Sequence, residues 1–427
     1  MTNSTSSQNP MARVMGLRDF QLLFAGATTS LLGDQFSLIA TPWLVLKLTN
    51  DPMALGTVLA LEGIPRALFM LLGGAITDRL SPRKVMLSAS IIRFILTAFM
   101  AMIVFAGVAQ IWMIYLFALA FGIVAGFAIP AENSIVPMIV EEGDLQAGNS
   151  IIMGITQLAG FVGPTIAGLL IGHYASSNMG IILSFTIDAL TFIVSAVTLA
   201  IMKTAGKSSA SGNQESVWTS ILTGIKYLLT DKALRLVFIV LMSVNFFLMG
   251  PLLVGIPVLS NQRLPEGAVA YGLLLSAFAG GNLIGILSAG ALPRPNSGIM
   301  KGILIAFVIA FGLGVLSLGF VTSTWIDFAS MLVLGLANGY VSIIMFTWMQ
   351  IETPKEMLGR MMSLITFSST GLVPISQALA GVISKWDLTM MFTISGGIVV
   401  LFGLVLSFHP DLQVLGASLT QASAKEA

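Results

Sequence analysis

Runs of about 20 or more mostly apolar residues recur along this chain from residue 20 to residue 409, separated by short polar stretches. That length is what an α-helix needs to cross the hydrocarbon core of a bilayer. No water reaches a backbone there, so only helices and closed barrels satisfy its N–H and C=O groups. The runs are continuous rather than alternating with period two, which selects helices. Composition agrees, with 56% hydrophobic and 9% charged residues and a mean hydropathy of +0.95; soluble domains carry about 25% charged residues. The expected fold class is therefore all-α, a polytopic membrane protein.

Twelve spans are expected, near 20–46, 53–77, 85–107, 110–132, 148–172 and 179–202, then 235–259, 268–292, 299–321, 325–350, 357–384 and 388–409. With the N-terminus placed in the cytoplasm, fifteen of the twenty Lys and Arg residues fall on the inner side and only Lys47, Arg263 and Lys385 on the outer. Both termini are accordingly expected to be cytoplasmic. The longest polar stretch lies midway and is rich in Gly and Ser, as a linker would be. The expected organisation is a disordered tail over 1–16, a six-helix bundle over 17–202, a linker over 203–217, a second six-helix bundle over 218–409 and a cytoplasmic tail over 410–427.

The halves are related. A shift of 216 residues lays the second span on the eighth, with Gly56 on Gly272 and Gly74 on Gly290. Repeated halves are how many transporters build a central site and alternate access to it. The mismatches carry more information than the matches: Glu62 falls on Phe278, Arg66 on Asn282 and Asp78 on Arg294. The first half holds the charges.

Five ionisable residues fall toward the middle of expected spans, near the bilayer centre: Asp34, Glu62, Arg66, Arg93 and Asp188. A charge near the bilayer centre costs about 3 kcal/mol on insertion scales, so such residues usually face a cavity. Burial favours the neutral form of an acid and a nearby guanidinium favours the ionised form. Glu62 and Arg66 are four residues apart on one helical face, which fits either a proton-coupled switch or a permanent salt bridge. Asp34, with no base within a turn, is either a proton carrier or a hydrogen-bond partner of a neighbouring helix. Asp188 is the weaker candidate for proton coupling, since Ser184, Thr186 and Thr191 stand near it in sequence. Arg93, Asn245, Phe247, Asn338, Trp348 and Gln350 are candidates to line a substrate cavity of apolar walls and few polar anchors, although aromatic residues also serve plain packing.

Several classes are excluded or left without support. A formal net charge of +1 gives no basic excess for nucleic acid. The chain has no cysteine, hence no disulfide or thiolate metal site. It lacks a P-loop, an HExxH and a nucleophile elbow in plausible context, so no enzyme, cofactor or metal is expected.

The loop after the second span reads Gly74-Ala75-Ile76-Thr77-Asp78-Arg79-Leu80-Ser81-Pro82-Arg83-Lys84. It resembles the major facilitator loop motif, a glycine, three residues, Asp-Arg, one residue, then glycine and a basic run, with Ser81 at the second glycine and Pro82 at one basic position. Further resemblance through Ile129-Pro130-Ala131-Glu132, Gly163-Pro164-Thr165-Ile166-Ala167-Gly168 and Glu352-Thr353-Pro354 is to the bacterial major facilitator group that holds macrolide-efflux proteins and the enterobactin exporter. The resemblance implies two pseudo-symmetric six-helix bundles and a latch at the cytoplasmic interface made by Gly74, Asp78, Arg79, Arg83 and Lys84, with Glu132 as partner of Arg79. It also implies that Gly163, Pro164 and Gly168 form the fifth-span antiporter motif, which plain helix packing explains equally well. The function so implied is proton-coupled export of an amphiphilic small molecule, a drug, macrolide-like compound or siderophore, by a monomer in the inner membrane, in contact with lipid. Transport of a lipid or lysolipid, uptake by symport, and a non-transporting membrane sensor are the alternatives.

Overall fold

The computed structural model describes residues 9–79, 81–203, 226, 228–230, 232–292, 297–353, 361 and 371–408. Among these residues there are thirteen α-helices and no strand. They are α1 (Pro10–Gly16), α2 (Arg18–Thr49), α3 (Pro52–Arg79), α4 (Pro82–Phe105), α5 (Ile111–Ile139), α6 (Leu145–His173) and α7 (Met179–Ile201). The series continues with α8 (Lys232–Gln262), α9 (Ala268–Ala291), α10 (Ser297–Leu318), α11 (Thr324–Glu352), α12 (Val373–Trp386) and α13 (Leu388–Ser407).

Among the described residues, eleven helices are long and apolar enough to cross a membrane. Of the expected eleventh span, 357–384, residues 357–360 and 362–370 lie outside the described residues, and the 14-residue α12 takes up its second half. Residues 1–8, 204–217 and 410–427 of the expected tails and linker also lie outside. Part of the stretch read as an N-terminal tail is helical. Asn9 caps α1 by accepting from Met11 N at 3.1 Å, and Pro10 occupies the first turn, where a missing N–H costs nothing. Val14 is fully buried in a cluster with Phe20, Leu23, Ile135 and Val136. Arg13 Nε donates to Asp144 Oδ2 at 3.1 Å, so a short helix that would melt alone is pinned at two points.

Packing divides the chain into two compact units: Met1–Leu44 with Leu61–Ser211, and Val45–Ala60 with Gly212–Ala427. Placing Val45–Ala60 in the second unit departs from the expected boundary, and the contacts give the reason. Gly56 lies against Gly381 with no side chain between the backbones, and Lys385 Nζ donates to Asp51 Oδ2 at 2.9 Å.

Within each unit, a helix pair crosses through bare glycine. In the first unit, Gly122 of α5 faces the carbonyl of Glu62 on α3, and Gly126 faces Arg66 O and Phe69 Cβ, where an added Cβ would sit at 3.0 and 2.7 Å. In the second, Gly335 of α11 faces the carbonyl of Phe278 on α9, and Gly339 that of Asn282. The facing residues are those that the 216-residue shift pairs, Glu62 with Phe278 and Arg66 with Asn282. The repeat seen in the sequence is thus repeated as a contact. Glycines four apart let two helices approach to main-chain contact, the favoured device where lipid offers no hydrophobic drive to association.

A methyl group at these crossings has no flexible neighbour to displace. Gly122→Ala and Gly339→Ala are expected to destabilise by about 1–3 kcal/mol, read as a lower midpoint in thermal unfolding of detergent-solubilised protein. Gly154→Ala, where nothing lies within 4 Å of the added Cβ, leaves the midpoint unchanged or raises it.

Candidate functional site: a charged cavity in the first unit

The first unit encloses a cavity of about 280 Å³. Asp34 of α2, Arg93 of α4 and Glu132 of α5 line it, among Ser30, Asn133 and Thr156. Each is delivered by a close helix contact. Gly33, beside Asp34, has no Cβ to hold α2 away from Thr191 and Asp188 of α7. Gly26, two turns earlier, leaves room at its bare Cα for the Thr198 side chain, so α2 runs along α7 at short range.

Asp34 feels the charges of Arg93, Glu132 and Glu62. The absence of a base on its own helix is therefore made good from α4, which sequence spacing cannot reveal. Arg93 Nη1 stands 3.6 Å from Glu132 Oε1, with 11% of the Arg93 side chain exposed against 45% of Glu132. The guanidinium carbon lies 5.4 Å from the Phe121 ring centre and 5.8 Å from that of Phe192, within range of cation–π attraction. Glu132 was expected to pair with Arg79; its partner among the described side chains is Arg93. The side chains of Gly74, Asp78 and Arg79 lie outside the described residues.

Asp188 is fully buried behind this cavity rather than in its lining. Its Oδ2 accepts from the Ser37 hydroxyl of α2, while Oδ1 has no partner among the described residues. Of the hydroxyls that the sequence offered as local partners, Ser184 donates to Gly180 O at 2.8 Å and Thr186 to Ile182 O at 2.8 Å, while Thr191 donates to the main-chain carbonyl of Asp188 at 2.7 Å and stands close enough to act on its carboxylate as well. Asp188 and Asp34 are close enough for their charges to interact. Glu62 and Arg66 form the expected i, i+4 pair at 3.4 Å, half-exposed and outside the cavity lining.

The remaining candidates fall in several places. Gly163, Pro164 and Gly168 are buried on one face of α6, and Gly163 makes room for the Gln35 side chain, next to Asp34. That contact fits plain packing and also fixes the stretch of α2 that carries the acid. Arg83 donates from Nε to Leu199 O at 2.6 Å and from Nη2 to Ala200 O at 2.7 Å, closing the last turn of α7. Ser81 and Pro82, the departures from the loop motif, are the N-cap and first residue of α4. Lys84 is exposed. In the second unit Asn245 donates to Leu241 O on its own helix at 2.8 Å, Phe247 stacks edge-on with Phe246 and Asn338 is half-buried. Trp348 is only 2% exposed, in the core, whereas Gln350 is exposed.

One intramembrane acid escaped the sequence reading. Asp327, in the first turn of α11, is fully buried with neither carboxylate oxygen partnered among the described residues.

A multi-pass bundle of paired helices, with ionisable side chains gathered around an internal cavity, is the build of a membrane transporter. The chain belongs to the Major Facilitator Superfamily, whose family model matches residues 23–377. Macrolide efflux protein A of Streptococcus pyogenes is 22% identical over 398 residues, covering 93% of this chain and 97% of that protein. Multidrug efflux pump Tap of Mycolicibacterium fortuitum is 25% identical over 401 residues, covering 92% and 96%. The nucleoside transporter NupG superposes with a TM-score of 0.67 at 17% identity, covering 96% of this chain and 99% of that one. The peptide transporter POT in complex with sulfate gives 0.71 at 14% identity, covering 97% and 100%. The chain is therefore a multi-pass membrane transporter for small molecules and not an enzyme.

Ser37→Ala is expected to leave Asp188 Oδ2 buried without a donor and to cost about 1–3 kcal/mol. The loss is read as a lower unfolding midpoint, and Asp188→Asn, which removes the charge as well, is expected to restore part of it in the Ser37→Ala background.

Proposed function

We propose that the protein is a proton-coupled exporter of an amphiphilic small molecule, working by alternating access as a monomer in the bacterial inner membrane with both termini in the cytoplasm. The observation that carries this reading is the placement of Asp34 in a cavity with one base, Arg93, and a second acid, Glu132. Two carboxylates share one guanidinium. When Asp34 binds a proton, Arg93 keeps Glu132 as its single charged partner; when Asp34 releases it, Arg93 is drawn toward α2. A proton thereby biases a choice between two arrangements of the helices that carry these groups, which is what coupling requires. Asp188, buried behind Asp34 and held by Ser37, extends the acidic path away from the cavity. The Glu62–Arg66 pair on α3 serves as a further coupling pair. Gly74, Asp78, Arg79, Arg83 and Lys84 form the cytoplasmic latch, where Arg83 acts by holding the end of α7.

Export is favoured over uptake by the efflux relatives and by the motif of Gly163, Pro164 and Gly168. Their names point to macrolides and other drugs as first substrates to try.

Asp34→Asn is expected to abolish pH-gradient-driven accumulation of a radiolabelled amphiphilic drug in everted vesicles while leaving exchange of that drug across the membrane intact. Full gradient-driven accumulation by this variant would sink the assignment.

A further inference from the structure

Among the described residues, Arg93 is the only cation that lines the cavity. A guanidinium carries five N–H donors in a flat fork, and the protein does little to satisfy them. Nε is buried and meets no acceptor among the described residues. Nη1 stands 3.6 Å from Glu132 Oε1, beyond the length of a hydrogen bond.

The aromatic neighbours supply attraction but no acceptor. Their ring centres lie 5.4 and 5.8 Å from the guanidinium carbon and 6.3 Å from each other. A triangle of those sides puts both rings on the same side of the charge. The other side is left to the cavity.

The two partners of the ion pair are held unequally. Arg93 is packed, with 11% of its side chain exposed, whereas Glu132 is 45% exposed. The base is the more tightly packed of the two, and the acid is the more easily displaced. A cavity that presents a preset, donor-rich fork beside a displaceable carboxylate is built to exchange one oxyanion for another, because a planar guanidinium pairs with a carboxylate or phosphate through two parallel bonds.

We infer that Arg93 anchors an oxyanion of the transported molecule, so that the substrate class is an amphiphile bearing a carboxylate or phosphate, which takes the place of Glu132 at the guanidinium. This rests on the reading of the cavity as the transport site. Leu23, Ile135, Val136 and Ile152 line the same space and receive the apolar part of the molecule. A cationic amphiphile gains nothing from Arg93: it competes with it for the same two acids and leaves its donors empty. The released Glu132 keeps a side chain that is 45% exposed rather than buried, and Asp34 is left to respond to the proton.

The test is equilibrium binding, with no gradient, of radiolabelled decanoate to the purified full-length protein in a neutral detergent. Decanoate, decyl phosphate, decylamine and decanol serve as competitors. The anions are expected to displace the label at concentrations at least about tenfold below the amine and the alcohol. Preference for one anion over the other names the headgroup and supports the assignment either way. Arg93→Lys, which keeps the charge but loses the fork, is expected to weaken decanoate about tenfold. Glu132→Gln, at a half-exposed position where folding is not at stake, removes the rival carboxylate and is expected to tighten binding several-fold. Equal displacement by all four compounds, or a decanoate affinity unchanged in both variants, overturns the assignment. Proton coupling is judged separately: loss of the Asp34→Asn effect in vesicles would remove the coupling and leave these affinities as they are.

Discussion

Helices in lipid have no hydrophobic reason to associate, because the tails around them are as apolar as the side chains they carry. What holds each unit together is therefore close approach of main chains, and the glycines at the α3–α5 and α9–α11 crossings supply it. At Gly122 and Gly335 a carbonyl of the facing helix occupies the space where a Cβ would stand. Everything polar in the first unit depends on this tightness. The crossing presses the backbone of Glu62 and Arg66 onto α5, the same helix that brings Glu132 to Arg93.

The crossings are alike in the two units, yet their side chains have diverged. The first unit carries Glu62 and Arg66 where the second has Phe278 and Asn282. One copy of the repeat has kept groups that exchange charge and the other has become largely apolar. Both halves share a common packing rule, while the acid and the base at the crossing belong to the first alone. Asp327 qualifies this division, since it places an unpaired acid in the second unit away from the repeat's charged register.

How much of this was legible in the sequence depends on the range of the interaction. Spans were readable because hydropathy is a property of contiguous residues, and the i, i+4 pair of Glu62 and Arg66 was readable because helix geometry fixes it. Partners that come from another helix were not. Asp34 looks solitary along α2 and comes under the charge of Arg93 only through packing, and Asp188 takes a hydrogen bond from Ser37, 151 residues away. The hydroxyls of Ser184, Thr186 and Thr191 close on backbone carbonyls three or four residues back, the common habit of Ser and Thr in helices. Arg83 is the instructive case among the motif residues. Its type and place in the loop mark it as one of a basic cluster, but its two carbonyl partners at the end of α7 lie more than a hundred residues on.

That last contact gives the end of α7 an unusual standing. Arg83 grips the carbonyls of Leu199 and Ala200, and Asp19 accepts from the amide of Lys203 at 3.3 Å, so the C-terminal end of α7 is moored to the opening turns of both α4 and α2. A tug on the chain beyond Lys203 would be delivered not to one helix but to three, among them the two that carry Asp34 and Arg93. The exit of the strand is in effect a tendon insertion, through which tension in the connecting segment can reach the acid and the base together.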